Sequence, residues 1–94
     1  MTIDSDETDI CGGWELAAGR MIPDATLNRI QQLVKSHLQK IADASGGWDT
    51  LFRDPADGRL WERFYPRSEM HGGGPESLRC IDQNSAERKY NVKL

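Results

Sequence analysis

At 94 residues the chain has room for one domain, expected to fold to a radius of gyration of about 12 Å around a single core, and two independent domains are excluded. Its formal charge of −3 is gathered at the start, where Asp4, Asp6, Glu7 and Asp9 stand without a base and the remainder is close to neutral. That balance weighs against a nucleic-acid binder, which wants a basic face, and favours a basic partner.

No apolar run approaches the roughly 20 residues of a membrane helix. Met1 to Ile10 carry acids where a signal peptide carries a basic and then an apolar stretch, so a soluble, cytoplasmic chain is expected. Residues 1–9 read as an acidic, flexible tail and residues 10–94 as the single domain. Cys11 and Cys80 have no CxxC or Cys/His spacing and read as reduced, part-buried small hydrophobes.

In chain order, Gly12-Gly13-Trp14-Glu15-Leu16, then Ala18-Gly19-Arg20 and Met21-Ile22, predict a short strand, a glycine turn and a return strand. Asp24 is placed to cap a helix, and Leu27, Ile30, Leu33, Val34, Leu38 and Ile41 recur at spacings of three and four. The pattern predicts one amphipathic helix from Asp24 to Ala44, ended by Ser45-Gly46-Gly47. His37, at the edge of its apolar stripe, reads as a packed histidine with local partners. Two aromatic runs, Trp48 to Arg53 and Arg59 to Tyr65, bracket Asp54-Pro55-Ala56-Asp57-Gly58, a hairpin loop in which Asp bonds back to amides and Gly takes a positive φ. Alternation puts Trp61, Arg63 and Tyr65 on one face and Leu60, Glu62 and Phe64 on the other. Pro66 ends that strand, Arg67 to Pro75 form a loop, Leu78 to Ile81 return as a strand, and Asn84 to Tyr90 form a short helix. The fold class is α+β: one long amphipathic helix packed on a small antiparallel sheet of about four strands.

Chemistry is sparse. The run Gly72-Gly73-Gly74 lacks the Lys-Ser/Thr of a phosphate loop and is followed by Pro75 and Glu76, so it reads as a tight chain reversal. Glu69 and His71 could act as a proton-transfer pair in a small hydrolase or lyase, but the sequence fixes no nucleophile beside them. Two histidines without a ligand cluster give no metal site, and no cofactor signature is present. A non-catalytic ligand-binding or assembly module is a further alternative.

Gly47-Trp48 through Asp54-Pro55-Ala56-Asp57-Gly58-Arg59-Leu60-Trp61-Glu62, then Tyr65-Pro66, Ser68-Glu69-Met70-His71-Gly72-Gly73-Gly74-Pro75, and Leu78 and Ile81 form a specific ordered pattern. It resembles the immunity protein 27 family of bacterial polymorphic toxin systems, with support upstream in Gly13-Trp14 and in Arg29-Ile30 and Leu33. Arg63 departs from the pattern, in which the residue after Trp-Glu is apolar. The resemblance implies a small cytoplasmic protein, not an enzyme, that binds and neutralises a cognate toxin domain and needs neither nucleic acid nor membrane. Carboxylates suited to a basic toxin cleft are Asp54, Asp57, Glu62, Glu69 and Asp82, with His71 beside them. Trp48, Pro55, Gly58, Trp61, Pro66, Gly72, Gly73, Gly74 and Pro75 read as its structural motif.

Overall fold

A computed structural model describes residues 2–44, 46–66 and 74–94. Among these residues nine elements follow in order: β1 (Asp9–Cys11), β2 (Trp14–Ala17), β3 (Arg20–Pro23), α1 (Ala25–Ser36), β4 (Gln39–Asp43), β5 (Thr50–Arg53), β6 (Leu60–Phe64), β7 (Ser77–Ile81) and α2 (Gln83–Tyr90). The fold is α+β. Its main sheet has five strands in the order β1-β7-β6-β5-β4, every pair antiparallel, and β2 and β3 form a separate two-stranded hairpin. The long axis reaches 46 Å against 28 and 20 Å for the others, and the radius of gyration is 13.7 Å, above the value expected for a rounder domain of this length.

Asp24 caps α1 as expected, its Oδ1 accepting from the Leu27 amide at 2.7 Å. The helix does not run to Ala44. It ends at Ser36, where the amides of His37 and Leu38 both turn back to the Leu33 carbonyl, at 3.0 and 2.7 Å. Residues 39–43 are a strand instead, with a bulge between Lys40 and Ala42. The spacing of Leu38 and Ile41 imitates a helix, but these residues serve opposite sides of the sheet. Leu38 joins the cluster of Ile30, Leu33, Phe52, Trp61 and Leu78 under α1, and Ile41 packs on the cluster of Leu51, Leu60, Ala86 and Tyr90 under α2. Gly46 and Gly47, at φ +92° and +76°, thus belong to the β4–β5 turn, where their left-handed backbone reverses a hairpin and caps no helix.

The β5–β6 hairpin is built as its loop residues predict. Asp54 Oδ1 accepts from the Ala56 amide at 2.8 Å, the Gly58 amide donates to the Asp54 carbonyl at 2.8 Å, and Gly58 has φ +78°. Period-two alternation then sends Phe52 and Trp61 toward α1, and Leu51 and Leu60 toward α2. The sheet is covered on both faces, by two helices rather than one, because α2 forms over residues 83–90. Asp82 caps it from below, accepting from the Ser85 amide at 3.3 Å.

The acidic segment expected as a flexible tail makes defined contacts with the domain. Ile3 and Ile10 enter the core, Glu7 receives both terminal nitrogens of Arg29 at 2.7 and 2.6 Å, and Arg59 donates to the carbonyls of Glu7 and Asp4. Asp9 to Cys11 add an edge strand to β7. Cys80 is a part-buried free thiol as expected, whereas Cys11 is exposed, because its strand lies at the rim of the sheet.

Candidate functional site

The carboxylates proposed from sequence divide by burial. Asp54 is fully buried. Beyond its bond to the Ala56 amide, its Oδ1 meets Nε2 of His37 at 2.9 Å, so the packed histidine has its local partner and ties the end of α1 to the hairpin loop. Glu62 is also fully buried. It projects from β6 beneath α2 and is surrounded by donors: Tyr90 Oη at 2.6 Å and Lys89 Nζ at 2.6 Å on Oε2, and Arg79 Nε at 2.7 Å on Oε1. Burial pushes its carboxyl upward, but the bonds from Lys89, Tyr90 and Arg79 outweigh it and hold the group below its ordinary value. Burial first, and then the hydrogen bond to Glu62, raise the Tyr90 hydroxyl well above the usual phenol range.

Glu62 is saturated by its own donors, whereas Asp54 keeps a buried Oδ2 without a hydrogen-bond partner among the described residues, and both side chains face the interior. Asp54 and Glu62 therefore support the scaffold, and the alternation that predicted a polar residue on the Leu60–Phe64 strand did not reveal that a helix lies over it. Asp57 and Asp82 are exposed. Each is held locally, Asp57 by the backbone amide and guanidinium of Arg59 and Asp82 by the hydroxyl and amide of Ser85, and both carboxyls titrate below their ordinary values for that reason. Glu69, His71, Gly72 and Gly73 lie outside the described residues. Gly74, at the exit of that stretch, has φ +73° and precedes Pro75.

Among the residues read as structural motif, Trp61 is buried completely in the α1 core. Trp48 is not scaffold in that sense: it is 55% exposed. Its ring stands edge-on against Tyr65, 5.2 Å between centroids and 88° between planes, and with Asp49, Phe64 and Tyr65 it lines a shallow open depression. Asp49 accepts from Lys89 at 2.8 Å, so one lysine joins this depression to the buried Glu62. The unexpected Arg63 is accommodated in part, its Nη2 bonded and its buried Nε left without a hydrogen-bond partner among the described residues. Its Nη2 reaches Thr50 Oγ1 at 2.9 Å, Nε lies 3.7 Å from Glu76 Oε2, and the guanidinium sits over Phe52 at 5.9 Å.

Nothing in this set makes a nucleophile. Burial raises the Cys80 thiol despite Arg59 beside it, which keeps it protonated and weakly reactive. Among the described residues no group of three His, Cys, Asp or Glu is arranged to hold a metal ion, and no helix is long and apolar enough to cross a membrane.

The family model for immunity protein 27 matches residues 16–82, from the β2–β3 hairpin through the last strand of the sheet. The chain belongs to the immunity protein 27 family. No curated protein and no solved structure matches it. The matched span of this immunity protein 27 member includes both buried carboxylates, the hairpin loop and Trp48, and it leaves out α2 and the acidic N-terminal segment.

Proposed function

We propose that this chain is a cytoplasmic immunity protein that neutralises one cognate toxin domain by stoichiometric binding, with no turnover, and so protects the producing cell and its kin. The observation that carries the reading is Trp48, a large aromatic left more than half exposed inside the family-matched span and packed edge-on against Tyr65. Aromatic anchors of this kind, with few rotatable bonds to freeze, dominate protein–protein interfaces. The exposed acids Asp57 and Asp82 supplement it toward a basic toxin surface, and the chain's net negative charge favours such an encounter. Asp54 and Glu62 contribute by holding the loop and helix in place.

The test pairs the protein with its cognate toxin domain, sought in the gene adjacent to its own. Trp48→Ala is expected to weaken binding by about 30-fold or more, the scale of an interface hot spot, while stability falls by no more than the roughly 1 kcal/mol of an aromatic edge contact. Full protection by Trp48→Ala would remove this surface from the interface. Protection at immunity protein levels far below those of toxin would remove the inhibitor reading altogether.

A further inference from the structure

Five large hydrophobic side chains stand exposed among the described residues, and four of them, Trp14, Leu16, Met21 and Ile22, are on the β2–β3 hairpin. Leu16 is 72% and Met21 61% exposed, and they face each other as a cross-strand pair. Among the described residues the hairpin belongs to no larger sheet. Its turn carries Ala18 at φ +52° followed by Gly19 at +76°, the two-residue loop that suits strand twist, but with alanine where asparagine or glycine is favoured. An isolated two-stranded hairpin is marginal in water, and this one spends its apolar surface on solvent.

Among the described residues the free edge of β2 is also open. Beyond the ladder to β3, no backbone hydrogen bond among the described residues involves Trp14 to Ala17. With Ala17 and Arg20 as the closing pair of a two-residue loop, ladder alternation turns the N–H and C=O of Leu16 outward. Soluble proteins normally guard such an edge with charge or proline, and neither stands at Leu16.

We propose that this edge is completed by a second copy of the same chain, β2 pairing antiparallel with β2 about a two-fold axis through Leu16. The pattern is self-complementary in that register. One face of the resulting four-stranded sheet gains a continuous apolar row of Met21 and Leu16 from one copy, then Leu16 and Met21 from the other. On the opposite face, Arg20 of one copy and Glu15 of the other are separated only by Ala17, whose methyl lets both long side chains meet over it. Neither Arg20 nor Glu15 has an ion-pair partner among the described residues. Sliding the register to centre on Glu15 would instead set two carboxylates face to face.

Charge at long range agrees. The acidic N-terminal segment is tied down by Arg59, next to the Leu60 end of β6. Trp14 and Met21 instead share a depression with Pro66, Pro75 and Ser77 at the other end of β6 and β7. Pairing through the hairpins keeps the two acidic segments at the far ends of the assembly. Four-residue strands bury little area, so the dimer belongs among weak, concentration-dependent ones.

Sedimentation equilibrium of the isolated full chain, followed from about 1 μM to about 1 mM, tests this without reference to any toxin. The expected result is a reversible monomer–dimer equilibrium inside that range. Leu16→Glu, at an exposed position that leaves the core untouched, should weaken it by about tenfold or more, since it removes the central contact and opposes two like charges. Glu15→Arg alone should weaken it by about threefold, and Glu15→Arg with Arg20→Glu should restore it. A chain that stays monomeric to 1 mM, or a dimer indifferent to Leu16→Glu, overturns the proposal. So does a monomeric chain whose protection against toxin is lost with Leu16→Glu, which would assign the hairpin to the toxin.

Discussion

Glu62 is the residue on which the two layers of this protein meet, and Glu62→Gln isolates what its charge does. The substitution keeps the side chain's shape and one acceptor oxygen but replaces the other by a donor. One carboxylate oxygen now serves Tyr90 and Lys89 and the other Arg79, so whichever way the amide is placed, one set of donors loses its acceptor. Lys89 retains Asp49 and Arg79 is 43% exposed, which limits the damage. Hydrogen bonds to charged groups contribute about 1.5–3 kcal/mol each, and breaking a buried ion pair outright costs about 3–5 kcal/mol. The expected loss for Glu62→Gln is therefore about 2–3 kcal/mol at pH 7, or about 10–20 °C in Tm for a domain this size. Because the folded carboxyl titrates below its ordinary value of 4.5, its stabilisation is present in full above that pH and is lost as the pH falls through the folded value. Urea unfolding of both proteins at pH 7 and down to pH 3 should show the gap narrowing with acid. A gap below about 0.5 kcal/mol at pH 7, or one that does not change with pH, would refute the account of Glu62 as a charged clamp.

The Arg29 guanidinium on Glu7, helped by the Asp4 amide, holds its carboxyl down to about 2, so a carboxyl-carbon NMR titration should give that midpoint, whereas one near 4.5 would detach residues 1–9 from the domain. Gly58→Ala tests the β5–β6 loop: nothing lies within 4 Å of the added methyl, so the expected loss of about 1 kcal/mol is backbone strain at φ +78° alone, and an unchanged melting temperature would mean the loop adopts another turn.

Local chemistry made much of this protein readable in advance. Asp24 as a helix cap, the Asp54 to Gly58 turn, both short hairpins and the α+β class all follow from interactions within a few residues. So does the family, because its distinctive residues lie in those turns and in the strand between them. The long helix failed for a definite reason. Leu38 and Ile41, three apart, satisfy a helical stripe as well as they satisfy two opposite faces of a strand, and the pairing of residues 39–43 with β5, with apolar clusters on both faces of the sheet, decides for the strand. Helix α2 turns Glu62 from a surface carboxylate into a buried one, since alternation shows which face a residue takes and not what lies over that face. Trp48 and Trp61 are the same residue type in one motif, yet one is exposed and the other enclosed. That difference arises from long-range packing: Trp61 sits on a central strand under α1, and Trp48 precedes β5, where it rests edge-on against Tyr65 with more than half its surface exposed.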